Sequence, residues 1–151
     1  MSVKLRSGAR IPLMGLGTYQ LKKEAAENAV MWAIRAGYRL IDTARVYRNE
    51  KYIGRGIKRA GVSRKDLWIT SKVPPNEQGE ERAYAAVLDS LVNLETDYID
   101  LVLIHWPGTA KIPLDSPANR ESRQGTWNAL VRLQAEGKVR HIGTSNFLSG
   151  T

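Results

Sequence analysis

After Gly15, short apolar runs alternate with longer segments of helical periodicity. The runs are continuous and do not alternate with polar positions, which is typical of strands covered on both faces of a sheet. Runs and helical segments in this order predict βα units and a parallel sheet. The five predicted strands are centred on Leu16, Leu40-Ile41, Leu67-Trp68-Ile69, residues 99–104 and Ile142-Gly143.

Four segments have apolar positions at helical spacing, and the predicted helices cover residues 22–36, 49–58, 80–94 and 122–136. The last is predicted to point Trp127, Leu130 and Val131 inward and to end before Gly137, because glycine suits the residue after a helix. Two short stretches around Gly8, residues 3–6 and 11–14, predict a small hairpin before the first βα unit. Proline-containing loops are predicted at 74–79 and 107–119.

Composition narrows the class of protein. A chain of 151 residues with 42% hydrophobic content suffices for one globular core, so we expect one domain over residues 1–151. The chain has no cysteine and two histidines, which excludes disulfides and thiolate metal sites, and we expect no bound metal. No apolar run approaches the roughly 20 residues of a membrane span, and the first residues lack the apolar stretch of a secretory signal. These features predict a cytoplasmic protein without a membrane partner.

The net charge of +8 is concentrated in one segment, residues 45–65, where eight basic residues accompany the single acid Glu50. Such a segment attracts polyanions, which suggests a phosphorylated cofactor, an anionic surface or nucleic acid. A solvated outer helix face explains the same charges. Since the segment lacks the interleaved basic and aromatic pattern of nucleic-acid binders and matches no known binding motif, we expect no nucleic-acid partner.

Polar residues with useful chemistry follow the apolar runs. The carboxyl ends of parallel strands meet on one face of a barrel or open sheet, so these side chains are expected to converge. Taken singly, each residue has a structural explanation. Asp42 would cap the turn before the next helix, Lys72 would be a surface lysine and His105 would be a core histidine. Their occurrence at successive strand ends favours a shared site, to which Tyr47 adds a phenol. The residues at the strand ends are Asp42, Ser71-Lys72, His105 and Ser145-Asn146.

Other residues suggest further features. Gly15 and Gly17 resemble the start of a dinucleotide fingerprint, but Gln20 stands where the third glycine is required. His141, at the predicted start of the fifth strand, is assigned a structural role. Tyr19 and Trp106 follow strands directly and are predicted to be walls of a pocket.

Several segments together resemble the aldo-keto reductases. GYRLIDTA at 37–44, followed by Val46-Tyr47, Asn49-Glu50 and Ile53-Gly54, resembles the first signature of that family. The later motifs are matched in order and spacing by TSKV at 70–73, DLVLIHWP at 100–107 and GTSNF at 143–147. Thr144 departs from the usual Val or Ile, but a β-branched residue of similar size leaves the loop intact. The likeness covers nearly the whole chain.

The resemblance implies a fold. The family forms a (β/α)8 barrel of the TIM type, which takes about 250 residues. The hairpin and about five strands account for residues 1–151, so the chain is expected to be a single, truncated barrel domain. In the family, the remaining half holds the adenosine 2′-phosphate and stacks an aromatic ring on the nicotinamide. Unpaired strand edges in such a part-barrel predict self-association.

The resemblance also implies a reaction, the reduction of a small aldehyde or ketone by hydride transfer from NADPH. Tyr47 would be the general acid, and Lys72 would stabilise its phenolate. Asp42 would hold Lys72, and His105 would hydrogen-bond the carbonyl oxygen. The cofactor-binding residues would be Gly17, Thr18, Asp42, Ser145 and Asn146, and the substrate pocket would be lined by Tyr19, Val46 and Trp106.

Two alternatives stay open at this point. A truncated chain could keep the four catalytic residues yet fail to hold NADPH, and act as a silent binding or regulatory partner. A structural relative of the family without enzymatic activity is a further alternative, against which the intact set of four residues argues.

Overall fold

The computed structural model describes residues 1–148, which form a hairpin followed by a parallel sheet with helices against it. Strands β1 (Ser2–Lys4) and β2 (Arg10–Pro12) pair antiparallel, as the apolar stretches around Gly8 predict. The five strands that follow are all parallel, and each pairs with the next along the chain. They are β3 (Gly15–Gly17), β4 (Leu40–Asp42), β5 (Trp68–Val73), β6 (Ile99–Ile104) and β7 (Val139–Thr144).

A helix follows each of the first four parallel strands. The helices are α1 (Lys23–Arg35), α2 (Glu50–Ala60), α3 (Glu80–Asn93) and α4 (Ala118–Ala135). The predicted βα order is therefore confirmed. Within the described residues, none of these helices is both long and apolar enough to cross a membrane.

The core lies between the helices and one face of the sheet. Fully buried Ile41 and Ile69 from the strands meet Val30 and Ile53 from the helices, and each such side chain stabilises the fold by about 1.5–3 kcal/mol. The two faces of β6 differ in burial. Val102 and Ile104 are buried on one face, whereas Leu101 and Leu103 on the other face are only half-buried. The continuous apolar run thus predicted more complete coverage than the described residues provide.

Glycines let the helices approach closely. A Cβ atom on Gly54 of α2 would lie 2.6 Å from the backbone oxygen of Leu94, and one on Gly56 would lie 2.5 Å from that of Glu27. No side chain fits at either position, so α2 packs directly against α1 and the end of α3. This packing fixes the position of α2 against its neighbours, and the loop before α2 carries Tyr47.

Two local predictions are wrong. Helix α4 begins at Ala118, four residues before the predicted start, and Val131 is 46% exposed instead of facing inward. The buried stripe of α4 contains Ala129, Leu130 and Leu133, and Val131 lies about 100° around the helix from Leu130.

Strand β7 also begins earlier than predicted, at Val139. His141 therefore lies inside the strand, where its ring stacks on Trp68 at 5.3 Å and 6°. This contact agrees with a structural role for His141.

Candidate active site

An ion pair joins the carboxyl ends of two neighbouring strands. Asp42 ends β4 and is in register with Thr70 of β5, and Lys72 lies two residues further along β5 on the same face of the sheet. The Lys72 Nζ lies 2.6 Å from Asp42 Oδ1 and donates a second hydrogen bond to the Thr43 carbonyl at 3.0 Å. Since Lys72 is only 9% exposed, these two acceptors hold its ammonium in place.

Tyr47 and His105 lie beside this pair. Tyr47 ends a 3-10 turn, Arg45–Tyr47, directly after β4, and its ring centroid is 5.6 Å from the Lys72 Nζ. His105 follows β6, where its backbone N–H donates to the Val73 carbonyl at 3.0 Å. The Tyr47 and His105 rings meet edge-on with centroids 6.1 Å apart. The four side chains expected from the sequence to converge are thus neighbours at one end of the sheet.

The surroundings of Tyr47 favour its protonated form. Burial raises the pKa of the Tyr47 phenol, and the negative charge of Asp42 raises it further. A cation that stabilises the phenolate would lower the pKa, so this direction is opposite to the one expected of Lys72. The Lys72 ammonium is paired with Asp42 and lies over the tyrosine ring. A protonated phenol at neutral pH is a proton donor.

His105 is poised in its neutral form. Burial lowers the pKa of the imidazole, the positive charge of Lys72 lowers it further, and Asp42 opposes both effects. Its buried Nδ1 has no hydrogen-bond partner in the described part of the chain. A neutral imidazole can donate one hydrogen bond without adding a charge to the site.

Three large side chains surround the four polar ones. Tyr19, after β3, is 67% exposed, and its ring centroid lies 5.1 Å from that of Tyr47. Trp106 is 49% exposed, and the centroids of the Trp106 and His105 rings are 6.2 Å apart at an interplanar angle of 26°. Val46 is also exposed and precedes Tyr47. Exposed apolar surface next to a buried lysine and half-buried polar groups is typical of a ligand pocket.

Two of the expected cofactor residues lie at the β3 end of the site. Gly17 is exposed and in register with Asp42, and a Cβ atom on it would meet nothing within 4 Å. Thr18 is fully buried, and both its backbone N–H and its hydroxyl donate to the Asp42 carbonyl, at 3.0 and 3.1 Å. Gly17 therefore borders open space, while Thr18 fixes the backbone beneath it.

Ser145 and Asn146, two more of the expected cofactor residues, directly follow β7. Ser145 donates its backbone N–H to the Ile104 carbonyl, and the exposed Asn146 adopts a left-handed φ of 62°. The Asn146 Nδ2 donates to the His105 carbonyl at 2.9 Å and to the Ser145 hydroxyl at 3.1 Å. An amide and a hydroxyl side by side suit a carboxamide ligand. With open space at Gly17, the residues present fit a nicotinamide ring.

Sequence reasoning missed three buried polar residues that support the site. Asn49 donates to the Thr18 and Leu21 carbonyls and accepts from Thr43, so it ties the loop carrying Tyr19 to the loop carrying Tyr47. Glu50 accepts a hydrogen bond from Ser71, the residue before Lys72, and Gln78 donates one to the Trp106 carbonyl. Polar residues in a loop or at the start of a helix are usually exposed, so their types alone give no signal of burial. Asn49 and Glu50 do lie in the segment that resembles the first signature of the family.

The basic segment, residues 45–65, is partly neutralised. Within the described residues, four of its eight cations have an acidic partner within 4 Å. Arg45 bonds both Glu77 and Asp89, at 2.6 and 3.0 Å, and Arg64 bonds Asp100 at 2.6 Å. These contacts favour the interpretation of this segment as a helix face that packs and pairs with its neighbours.

Comparison with known proteins agrees with this arrangement. The family model described as "Aldo/keto reductase family" matches residues 13–150. The chain belongs to the aldo/keto reductase family.

Its relatives include a glyoxal reductase of Bacillus subtilis (strain 168), which is 45% identical over 147 residues, or 97% of this chain and 49% of that protein. Among solved structures, an aldo/keto reductase of Brucella melitensis matches with a TM-score of 0.89 and 41% identity, covering 99% of this chain and 55% of the other. A Bombyx mori aldo-keto reductase in complex with NADP matches with a TM-score of 0.87 and 39% identity, covering 97% and 50%. The chain spans about half the length of the curated relatives it matches. It is an α/β fragment of the TIM-barrel fold.

Proposed function

We propose that this chain carries the catalytic residues of a reductase that converts aldehydes or ketones to alcohols with NADPH. The observation that carries the proposal is the 2.6 Å pair of Lys72 and Asp42 with the rings of Tyr47 and His105 beside it. These groups come from three strand ends, where (β/α)8 enzymes hold their active sites. A donor phenol, a fixed cation and a neutral imidazole suit the protonation of a carbonyl oxygen that is gaining negative charge.

Tyr47 is the proton donor in this scheme. Its raised pKa keeps the phenol protonated until charge develops on the substrate oxygen. Lys72 then stabilises the phenolate that is left when the proton has moved, and Asp42 prevents the ammonium from turning away. The paired lysine therefore acts late, which reconciles its proposed role with the raised pKa of Tyr47 in the resting protein.

His105 orients the substrate. A neutral imidazole donates one hydrogen bond to the carbonyl oxygen and helps to place it within reach of the Tyr47 hydroxyl. Tyr19, Val46 and Trp106 cover the apolar part of the substrate and exclude water. A small aldehyde is the proposed class of substrate, supported by the similarity to a glyoxal reductase.

Gly17, Asp42, Ser145 and Asn146 are the proposed contacts for the nicotinamide end of NADPH, and Thr18 supports them from below. The bound cofactor supplies the hydride that completes the reduction. The choice of NADPH is supported by the Bombyx mori relative, which was solved with NADP. Because the chain spans about half of its relatives, its ability to hold the whole cofactor is the first point to test.

The decisive experiment has two stages. Saturable quenching or enhancement of nicotinamide fluorescence by the purified chain tests NADPH binding, and oxidation of NADPH with glyoxal as substrate tests turnover. Tyr47→Phe is expected to lower turnover by about 10²- to 10⁴-fold, the usual contribution of a general acid, with NADPH affinity unchanged. Tyr38→Phe, on the loop before β4, is the matched control and should keep full turnover.

Each outcome has a distinct meaning. Turnover that survives Tyr47→Phe would refute the role of the phenol. Binding without turnover in the wild-type chain would refute the proposed reaction, and no binding at all would favour a silent fragment that acts as a partner of another protein.

A further inference from the structure

Gln78 is a fully buried polar side chain that the proposed reaction does not use. It lies in the loop between β5 and α3, directly after the 3-10 turn Pro75–Glu77. A buried amide is expensive to leave without partners, at about 1–3 kcal/mol for an unpaired group. Its hydrogen bonds therefore indicate what it is placed to hold.

All of these hydrogen bonds go to one short segment, residues 106–109. The Gln78 Nε2 donates to the Trp106 carbonyl at 2.7 Å and to the Gly108 carbonyl at 3.0 Å. Its Oε1 accepts from the Thr109 hydroxyl at 3.2 Å. Both donors and the acceptor of one side chain thus fix three points on the loop that begins just after His105.

The rest of that loop is held from other directions. The Ala110 N–H donates to the Pro75 carbonyl at 3.0 Å, and the Thr109 N–H donates to the Asn119 Oδ1 at 2.8 Å. Arg123 of α4 donates to the Pro107 carbonyl at 3.0 Å. None of these bonds reaches the Trp106 backbone, whose carbonyl is held by Gln78.

The side chain of Trp106 is only partly covered by the protein. It is 49% exposed, and among the described residues its ring stacks on that of His105, with the ring centroids 6.2 Å apart. The position of its backbone therefore contributes to where the indole stands. A shift of that backbone would move the indole relative to His105 and to the Tyr47 ring that His105 contacts.

We propose that Gln78 is a positioning residue that sets the place of Trp106 beside His105 and thereby the size of carbonyl substrate that the site accepts. The part of this inference that concerns substrate size rests on the proposed function. The placement of Trp106 by Gln78 is a structural claim that stands without it. Gln78 touches no reacting atom and acts through the backbone of residues 106–109.

The structural claim is tested by ¹⁹F NMR of protein labelled with 5-fluorotryptophan, whose four resonances are assigned with Trp106→Phe and equivalent single substitutions. Gln78→Met keeps the size of the side chain and removes all three hydrogen bonds. We expect it to shift and broaden the Trp106 resonance while the Trp32 resonance on α1 stays in place. Gln124→Met is the matched control, since the Gln124 amide donates to its helix neighbour Asn128 at 3.1 Å and, among residues 1–148, makes no side-chain bond to the loop that carries Trp106.

A Trp106 resonance that is the same in Gln78→Met and wild type overturns the proposal. If Gln78→Met fails to fold, Thr109→Val takes its place. Thr109→Val removes a single bond of the set, and a smaller shift of Trp106 is then expected. No shift in that folded variant also overturns the proposal.

The substrate claim is tested by steady-state kinetics with glyoxal and with benzaldehyde. Gln78→Met is expected to raise KM for benzaldehyde by about tenfold, on the order of one lost hydrogen bond, while kcat/KM for glyoxal stays within about twofold. Equal losses for both aldehydes would indicate a merely structural role and would overturn this part. If the wild-type chain reduces neither aldehyde, the proposed function fails, and the NMR result still decides the placement of Trp106.

Discussion

The carboxylate of Glu50 accepts a hydrogen bond from the Ser71 hydroxyl at 2.7 Å, one residue before Lys72 on β5. Its other oxygen accepts from the Ser90 hydroxyl of α3 at 2.9 Å. Glu50 is the first residue of α2, so one buried acid joins two helices to the strand that carries the active-site lysine. The strand that carries Lys72 is thus held by Glu50 through Ser71, in addition to the pair that Lys72 forms with Asp42.

This arrangement predicts a pH-dependent stability. Burial raises the pKa of Glu50, and the bonds from Ser71 and Ser90 oppose only part of that rise. The folded protein then binds the proton more tightly than the unfolded chain. The contribution to the free energy of unfolding is therefore complete below the ordinary glutamate pKa and falls as pH rises through the raised one.

Glu50→Gln should flatten the dependence of the free energy of unfolding on pH, because it removes the titrating group. The amide can still bond both serines, so the variant is expected to keep the local structure. Urea unfolding between about pH 5 and about pH 8 measures this dependence. Glu81→Gln, on the exposed face of α3, is the control and should keep the wild-type slope. Identical slopes in all three proteins would contradict the prediction.

A second prediction concerns the charge state of His105. Its pKa is lowered by burial and by Lys72, whereas Asp42 acts in the opposite direction. Lys72→Met removes a repulsive cation and leaves the attractive carboxylate, so the pKa of His105 should rise. An NMR titration of the two imidazoles measures this, with His141 as the internal reference.

The sign for stability follows from the same shift. A histidine with a lowered folded pKa contributes its full stability above the ordinary value and loses it as pH falls through the folded value. Lys72→Met should therefore reduce the acid sensitivity that His105 causes. An unchanged or lower pKa of His105 in this variant would disprove the electrostatic account.

Gly54 provides a test of the packing that positions α2. Alanine is the better helix former by up to about 1 kcal/mol, but its Cβ would lie 2.6 Å from the Leu94 backbone oxygen. We expect Gly54→Ala to lower the free energy of unfolding by about 1–3 kcal/mol, as overpacking does. The neighbouring exposed substitution Arg55→Ala should stay within about 0.5 kcal/mol of wild type in the same urea titration. Stabilisation by Gly54→Ala would mean that the helices are not in close contact.

Gly17 and Gly15 on β3 should behave in opposite ways. A methyl group on Gly17 points into open space, so Gly17→Ala should leave stability within about 0.5 kcal/mol of wild type. It should raise the dissociation constant for NADPH by about tenfold, since the proposed nicotinamide would lose roughly 1.4 kcal/mol of contact. A methyl group on Gly15 would lie 2.6 Å from Leu40 Cγ, so Gly15→Ala should reduce stability instead. Full NADPH affinity in Gly17→Ala would remove Gly17 from the cofactor site.

The order of the elements and the identity of the residues at the strand ends were predictable from the sequence. Apolar periodicity is a local property, and it predicted α1, α2 and α3 to within two residues at either end. Asp42, Lys72 and His105 could be placed together because parallel strands bring their carboxyl ends to one face. These predictions needed no knowledge of distant contacts.

Tertiary structure alone decided what depends on residues far apart in the chain. Val131 is exposed because α4 turns Leu130 and Leu133 toward the sheet, and Gln78 is buried because the loop after β6 covers it. The pKa of Tyr47 is raised because burial and the negative charge of Asp42 both disfavour the phenolate. Burial, pairing and charge balance arise from long-range packing, which no local pattern of residues specifies.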